Sequence, residues 1–307
     1  MLKSCLEREQ DDMEDKGRNK GSVEEEDNEK VDERQTQTKK RKRKEIAIYG
    51  NYKNYYGYRT KDLKEDPRLM VLKKEWFEGK DCLDIGCNQG LITMSIAKKF
   101  SCRSICGVDI DSYLIETANW NLRRSAKMDN ASCKFSNANR SKVSEETNAL
   151  EHSGTASLNE GAANLLRDSN PSQEPNIFDV VSFREENFVL SRQRCSEAYD
   201  TILCLSVTKW VHLNWGDDGL ITLFAKIWRL LRPGGVFILE AQNWKSYKSN
   251  YQVSEIATFN YNNILFPPLL FQDILLDKIG FRTVENITAS LPGSAAGFNR
   301  PIFVFCK

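Results

Sequence analysis

The chain has 307 residues, a formal net charge of +1 at pH 7 and 40% hydrophobic residues. A charge so nearly balanced excludes attraction of nucleic acid by the overall field, so any basic surface has to be local. No apolar run approaches the roughly 18 residues of a membrane span and no secretory signal follows Met1, so we expect no membrane association and a reducing compartment. The nine cysteines include no CxxC pair, and we therefore expect no metal site.

Two segments lack the apolar residues that a folded core requires. Residues 1–44 are rich in acids and bases and contain no Phe, Tyr or Trp, and residues 125–176 are rich in Ser, Asn, Ala and Glu, with Phe135 as their aromatic residue. Such segments cannot bury enough apolar area to offset the entropy of ordering. We therefore predict a disordered acidic tail with a basic run over 1–44 and one domain over 45–307, interrupted by a low-complexity insertion at about 125–176.

Six consecutive basic residues, 39–44, end this tail. Such a run is typical of a nuclear localisation signal or of an arm that contacts RNA, and a solvated charge run is the alternative. We favour the first interpretation and expect a nuclear protein.

Five tyrosines lie within residues 49–59, mixed with Asn, Lys and Arg. Aromatic rings between basic residues are suited to stacking on unpaired nucleotides. A tyrosine-rich segment packed on the edge of the domain would have the same composition, so the sequence leaves both interpretations open.

Short apolar runs alternate with runs of helical spacing along the rest of the chain. Strands are predicted over 82–86, 104–109, 180–183, 199–205, 236–240, 281–284 and 302–305. Helices are predicted over 68–77, 91–100, 112–124, 219–231 and 268–279. This alternation predicts an α/β fold with a parallel, doubly wound sheet, and the last two strands, with no helix between them, predict an antiparallel hairpin at its edge.

A glycine-containing turn, DIGCNQG over residues 84–90, follows the first strand. In parallel sheets ligands bind beyond the carboxyl ends of the strands, and glycine lets the backbone approach them closely. Asp109 ends the second strand, where an acid can accept hydrogen bonds from both ribose hydroxyls of a nucleoside. The GxGxxG pattern of dinucleotide enzymes is absent, and the acid-led turn resembles the first motif of class I S-adenosylmethionine methyltransferases.

In those methyltransferases a polar residue after the third strand meets the adenine amino group, and a neighbouring aromatic ring stacks on the base. The resemblance assigns these contacts to Asn187 and Phe188, although an ordinary turn would have the same sequence.

Strand four leads into a segment that we expect to form a loop over the methyl group. It contains the cationic, polar and aromatic residues Lys209, Trp210, His212, Asn214 and Trp215. It lacks the Asn/Asp-Pro-Pro-aromatic signature of base-amino methyltransferases, and Cys204 lacks the neighbouring proline typical of pyrimidine C5 methylation. These groups suit a phosphorylated nucleotide, whereas the alternative is that the tryptophans belong to the core and that His212 is a structural histidine.

Together these motifs resemble the bicoid-interacting protein family, the methylphosphate capping enzymes of small nuclear RNAs such as 7SK. The motifs that carry the resemblance are YGNY (49–52), YYGYR (55–59), LDIGCN (83–88), GVDID (107–111), LCLSVTKWVHLNWGD (203–217), LRPGG (231–235) and RP (300–301). The match covers about 46–124 and 177–307. It implies a methyltransferase domain over 45–307 with the class I, Rossmann-like α/β fold, a mostly parallel seven-stranded sheet with an antiparallel C-terminal edge hairpin, and S-adenosyl-L-methionine as cofactor.

The resemblance also implies roles for individual residues. The residues implied to line the methyl-donor site are Tyr49, Arg59, Gly86, Cys87, Asn88, Asp109, Ile110, Asn187, Phe188 and Leu205. Arg59 would reach the carboxylate of the methyl donor as a bidentate partner. The residues implied to position the 5′ nucleotide and its phosphates are Lys209, Trp210 and His212, and those implied to bind RNA are Tyr52, Tyr55, Tyr56 and Asn214. Gln89 departs from the family pattern, which has an apolar residue there.

The family transfers a methyl group to a terminal phosphate at an RNA 5′ end. Because the second pKa of a phosphate is near 6, its oxygen is already anionic at neutral pH, and we assign no general base. We therefore expect methyl transfer to the γ-phosphate of a small nuclear RNA.

Three alternatives stay open. The acceptor could be a 5′-monophosphate on tRNA or a precursor small RNA, or the chain could be a largely non-catalytic RNA-binding chaperone of a ribonucleoprotein. A small-molecule methyltransferase is the third, although it would not require the tyrosine-rich segment. We also expect small nuclear ribonucleoprotein proteins as partners and, in the absence of heptads, a monomer.

Overall fold

The computed structural model describes residues 47–53, 55, 65–141, 176–192, 196–289 and 300–307, with the backbone alone for 129–141. The predicted tail with its basic run and most of the predicted insertion lie outside these residues. Within the described part of the chain, no helix has the length and apolar character needed to cross a membrane. The same residues contain no cluster of three or more His, Cys, Asp or Glu that could hold a metal ion.

A seven-stranded sheet forms the centre of the domain. Its strands are β1 (Asp81–Ile85), β2 (Ser104–Asp109), β3 (Val181–Glu185), β4 (Tyr199–Leu205), β5 (Leu231–Glu240), β6 (Thr283–Asn286) and β7 (Ile302–Cys306). Their order is β3-β2-β1-β4-β5-β7-β6, with parallel pairing from β3 to β5 and β7 antiparallel to both of its neighbours. The predicted mostly parallel sheet with antiparallel C-terminal strands is confirmed, and β6 rather than β7 lies at the edge.

Helices cover the sheet. They are α1 (Leu91–Phe100), α2 (Ser112–Ser141), α3 (Thr208–Leu230), α4 (Trp244–Lys248) and α5 (Glu255–Asn263). A single turn, Ile177–Val180, precedes β3, and the turn Phe271–Asp273 continues as a π-helix over Ile274–Ile279. In α1, Ile92, Ile96 and Phe100 are buried, at the helical spacing that predicted this element.

Two apolar clusters pack against the sheet. One contains Phe224 of α3 and Phe237 of β5, and the other contains Ile96 of α1. Ile202 belongs to the first cluster and Leu203 to the second, so β4 is buried on both faces. Strands buried in this way have continuous apolar sequences, which is why the central strands were predictable.

Helix α2 extends beyond its predicted end at residue 124. It continues to Ser141, so the first part of the predicted insertion is helical. Residues 125–141 contain neither Gly nor Pro, and Ala126 is buried. A low aromatic content therefore excluded a packed core here without excluding a helix.

Helix α3 begins at Thr208, whereas we predicted a loop up to residue 218. The helix has a kink at Gly216, where φ is 64° and ψ is −165°. Its first turns bury Val211 and Leu213. The backbone N–H of Lys209 donates to Gln242 Oε1 (3.2 Å), which satisfies one of the first amides of the helix.

Other predicted helices are divided or were missed. The helix predicted over 68–77 consists of two 3₁₀ segments, Pro67–Met70 and Lys74–Trp76. The helix predicted over 268–279 begins with a 3₁₀ turn, Pro268–Leu270. Helices α4 and α5 were not predicted, because Asn, Ser, Lys and Tyr dominate their sequences and hide the apolar spacing.

Candidate active site

A cavity of about 890 Å³, which includes open solvent at its mouth, lies at the carboxyl ends of β1, β2 and β4. The predicted methyl-donor residues that line it are Tyr49, Gly86, Asn88, Asp109, Ile110, Asn187, Phe188 and Leu205. Cys87 is buried and does not line the cavity, and Arg59 lies outside the described residues. The cavity therefore brings together residues from five separate segments, four of which end or follow parallel strands of the sheet, as expected for ligand binding beyond the ends of such strands.

The glycine turn after β1 is held by the end of β2. The backbone N–H groups of Gly86 and Cys87 both donate to Val108 O, at 2.8 and 3.0 Å. Gly86 has φ of 75°, and a Cβ there would overlap the side chain of Val207. Only glycine fits, because the position combines left-handed backbone with close packing.

Asp109 is the polar anchor of the cavity. Its carboxylate accepts from the backbone N–H groups of Asn88 (2.9 Å) and Asp111 (3.0 Å). Burial raises the pKa of Asp109, and these hydrogen bonds oppose the shift. Each oxygen of a carboxylate has a second lone pair, so Asp109 can also accept from the two hydroxyls of a ribose.

Two buried amide oxygens of the cavity lining test whether the implied cofactor fits. Asn51 Nδ2 donates to Asp111 Oδ2 (2.5 Å) and Asn88 Nδ2 donates to Tyr52 O (3.3 Å), which fixes both amides. Their Oδ1 atoms are buried and have no hydrogen-bond partner among the described residues. Buried acceptors without partners are costly, and the amino group and hydroxyls of S-adenosylmethionine are the donors that would satisfy them. The residues present therefore fit this cofactor.

The turn after β3 closes another side of the cavity. Asn187 Oδ1 accepts from Leu190 N (3.1 Å) and Asn187 O accepts from Ser191 N (2.8 Å), so Asn187 caps a single helical turn. Phe188 is buried and faces the cavity lining. One lone pair of the Asn187 side-chain oxygen is thus used to hold the turn. The second lone pair can still accept a hydrogen bond from a ligand, and Nδ2 can still donate one.

Asp84 lies below the glycine turn and also lines the cavity. It is 1% exposed, and Thr93 Oγ1 donates to its Oδ2 at 2.6 Å. Burial raises the pKa of Asp84 to about 6, and the bond from Thr93 and the charge of Arg68 limit the rise.

A buried charge network that we did not predict joins the cavity to the end of β5. Arg68 pairs with Asp66 (2.7 Å) and with Glu240 (3.2 Å). Ser206 Oγ donates to Glu240 Oε2 (3.0 Å) and accepts from Arg300 Nη1 (2.8 Å). Ser206 has φ of 65°, a left-handed conformation that is unfavourable for a residue with a side chain and that its hydrogen bonds to Glu240 and Arg300 hold in place. One signal was present in the sequence, since Glu240 directly follows the apolar run 236–239.

Two of the predicted substrate-positioning residues lie together at the start of α3. Trp210 lines the cavity, and Tyr52 packs edge-on against it with ring centroids 5.9 Å apart. Lys209 Nζ lies 4.2 Å from the centre of the Trp210 ring and donates to Ser246 Oγ at 3.0 Å. A cation and an aromatic ring thus lie together beside the cavity.

His212 is placed differently from our expectation of contact with the substrate phosphate. Its side chain is fully buried, with Nε2 at 2.6 Å from Asp217 Oδ1 and Nδ1 at 3.2 Å from Tyr247 OH. Its ring stacks on Phe266. Burial lowers the pKa of His212, and the bond to Asp217 opposes this shift. The geometry corrects our assignment, because both ring nitrogens are used to hold α3 in place.

The residues predicted to bind RNA have several environments. Tyr55 lines the cavity, whereas Tyr52 OH donates to Asn250 Oδ1 (3.2 Å) after α4. Asn214 Nδ2 donates to Ile48 O (3.0 Å) and so ties the tyrosine-rich segment to α3. Tyr56 lies outside the described residues.

The chain is similar to known proteins over most of its length. A family model described as bicoid-interacting protein 3 matches residues 199–307, and one described as a methyltransferase domain matches residues 83–237. A probable RNA methyltransferase of Arabidopsis thaliana is 55% identical over 269 residues, which are 87% of this chain and 83% of that protein.

Two capping enzymes are also similar. The U6 snRNA methylphosphate capping enzyme Amus of Drosophila melanogaster is 35% identical over 84% of this chain and 74% of its own length. The 7SK snRNA methylphosphate capping enzyme of Homo sapiens is 39% identical over 84% of this chain. The chain spans 39% of the length of that human relative.

Proposed function

Since the chain is an S-adenosylmethionine-dependent RNA methyltransferase of the bicoid-interacting protein 3 family, we propose that it methylates the 5′-terminal γ-phosphate of a small nuclear RNA. The names of the human and Drosophila relatives support a small nuclear RNA with a phosphorylated 5′ end as substrate.

One observation carries the proposal. A cavity with the polar anchors of a methyl-donor site, Asp109 and Asn88, shares its wall with Trp210, and Lys209 lies against that tryptophan. An ammonium group beside an aromatic ring suits a phosphorylated nucleotide, because the ring stacks on the base while the cation attracts the phosphates.

Positioning accounts for the catalysis that we propose. When bound, S-adenosylmethionine supplies an electrophilic methyl group on a positively charged sulfonium. The acceptor phosphate is anionic at neutral pH, so the chain does not need to remove a proton from it. Asp109 and Asn88 orient the nucleoside of the methyl donor, and Trp210 excludes water from the cavity. Lys209 then holds the phosphates in line with the methyl group.

Helix α4 places exposed cations near Lys209, which is itself buried. Lys245 and Lys248 are exposed on it, and residues 243–254 contain no acid. Its Ser246 contacts Lys209 through the 3.0 Å hydrogen bond. Cations continuous with the acceptor side suit the backbone phosphates of the nucleotides that follow the 5′ end.

The cellular context forms part of the same proposal. The basic run over 39–44 supports a nuclear location. We propose small nuclear ribonucleoprotein proteins as partners and a monomeric enzyme, which the absence of heptads supports.

Methyl transfer from labelled S-adenosylmethionine to one RNA stem-loop with a triphosphate, monophosphate or hydroxyl 5′ end tests the proposal. We expect label on the triphosphate form alone, and its loss when the RNA is treated with phosphatase beforehand. Label on the monophosphate form would mean that the substrate is a processed RNA with a 5′-monophosphate and would overturn the γ-phosphate assignment. Equal label on all three forms would mean that the acceptor is a base or a sugar and would overturn the proposal.

A pair of lysine variants tests the role of the cation. Lys209→Met should raise the KM for the triphosphate RNA at least tenfold while leaving the affinity for S-adenosylhomocysteine unchanged. Lys278→Met removes an exposed lysine of the π-helix and should leave both quantities unchanged. An unaltered KM in Lys209→Met would show that Lys209 does not bind the RNA phosphates.

A further inference from the structure

Lys226, on the second half of α3, makes an unusual set of contacts. Its Nζ donates to Phe188 O (2.9 Å) and Val189 O (2.6 Å) and also to Ser191 O. All three acceptors are backbone carbonyls of the turn that follows β3. An ammonium group has three donor hydrogens around one atom, so three converging carbonyls satisfy it fully.

The turn that Lys226 holds is the one that closes the cavity. Phe188 and Val189 both line the cavity and are both buried. The turn has one backbone hydrogen bond, from Ser191 N to Asn187 O, and the side chain of Asn187 caps it. A single isolated turn is unstable by itself, because it fixes several backbone dihedrals for one hydrogen bond.

The two ends of this turn are attached to different elements. Before it, Glu186 N donates to Asp109 O at 2.8 Å, which ties the turn to β2. At its carboxyl end Lys226 ties it to α3. Carbonyl groups at the end of a helical turn carry partial negative charge, which favours a cation there.

We propose that Lys226 is a positioning residue for the methyl donor, acting through the carbonyls of the turn that carries Asn187 and Phe188. The proposal rests on the assignment of this turn to the adenine of the methyl donor. Lys226 touches neither the cofactor nor the RNA, and its function is to keep the wall of the adenine pocket in one conformation. Partial burial lowers the pKa of Lys226, which agrees with its half-buried position against the turn.

Calorimetric titration with S-adenosylhomocysteine, without RNA, tests this proposal. Lys226→Met keeps most of the side-chain volume and removes the three hydrogen bonds, and we expect at least tenfold weaker binding. In methyl-transfer assays the KM for S-adenosylmethionine should rise by a similar factor, with kcat at saturation within twofold of the unmodified protein. Lys278→Met is the matched control and should bind normally.

Hydrogen exchange distinguishes a local effect on the turn from a general loss of stability, because it compares amides of the turn with amides elsewhere. The amides of Leu190 and Ser191 should exchange at least tenfold faster in Lys226→Met, while amides of α1 keep their rates. Lys226→Arg should restore part of the affinity, because a planar guanidinium can reach some of the three carbonyls but not all.

The outcomes separate this inference from the proposed function. Unchanged affinity in Lys226→Met at a temperature well below its unfolding transition would overturn the role of Lys226 and leave the methyl-donor site intact. Failure of the unmodified protein to bind S-adenosylhomocysteine would overturn the cavity assignment itself. A substrate other than 5′-phosphorylated RNA would affect neither measurement.

Discussion

Replacement of Asp84 with asparagine should make the protein more stable at neutral pH. Asp84 is 1% exposed and accepts a hydrogen bond from Thr93. Burial raises its pKa from 3.8 to about 6. Asparagine keeps an oxygen that can accept from Thr93 and removes the buried negative charge.

The expected size follows from the two pKa values. Between pH 3.8 and about 6 the folded protein binds more protons at Asp84 than the unfolded chain does, so stability falls as the pH rises through this window. At 1.36 kcal/mol per pKa unit, complete ionisation costs about 3 kcal/mol of unfolding free energy. About 2 kcal/mol of this cost develops between pH 4.5 and 7.5.

Urea denaturation of both proteins at pH 4.5 and 7.5, without methyl donor, measures this difference. We expect the advantage of Asp84→Asn over the unmodified protein to grow by about 2 kcal/mol from the lower to the higher pH. Thr93→Val is the matched variant: it removes a bond that favours the charged form, so it should steepen the pH dependence. An advantage that does not change with pH would refute the reasoning.

Three other substitutions test the cavity and its supports. Asp109→Asn should weaken binding of S-adenosylhomocysteine at least tenfold in calorimetry, because asparagine cannot accept from both backbone amides that Asp109 holds. Asp218→Asn changes an exposed residue and should bind normally. Equal affinities of the two variants would contradict the anchor role of Asp109. Gly86→Ala should lower the unfolding free energy by about 2 kcal/mol, since a Cβ meets left-handed backbone and the side chain of Val207. Truncation of Val207 to alanine should recover part of that loss, and no recovery would exclude the steric cause. Glu240→Ala should cost about 3 kcal/mol in chemical denaturation because Arg68 and Ser206 lose a buried acceptor, and a loss below about 1 kcal/mol would show that the network adds little.

Prediction from the sequence succeeded where burial alone determines the structure. The bounds predicted for α1, β2 and β4 match those of the structure, because their residues are apolar at one period and pack against the sheet. The glycine turn and Asp109 were located for a related reason. A strand, a glycine, a helix and a second strand place their ends at one edge of the sheet whatever the rest of the chain does.

Prediction was limited where distant segments determine the structure. The sequence at the amino terminus of α3 predicts a polar loop. The segment is helical because Gln242 accepts a hydrogen bond from a first-turn amide and α5 covers the apolar face. His212 has the same sequence signal whether it faces a substrate or a buried carboxylate. Asp217 lies only five residues away, but the kink at Gly216 is what brings it to the imidazole.

The buried charge network could not be predicted from the sequence for the same reason. Arg68 and Glu240 are separated by 172 positions in the chain, and no local pattern records their pairing. The acid at the end of β5 was the visible sign, since a buried carboxyl group needs a hydrogen-bonding or charged partner. Glu240 indicated that a partner exists and did not identify it.

Two tryptophans in the cavity wall make the site directly observable by spectroscopy. The ring of Trp215 stacks on Tyr49 with centroids 5.7 Å apart, and a Cβ on Gly50 would overlap the indole of Trp210. Both rings thus lie against the tyrosine-rich segment, and their fluorescence emission depends on whether that segment packs against them. Replacement of the other four tryptophans with phenylalanine would leave a protein whose intrinsic fluorescence reports seating of the segment in real time, without any attached dye.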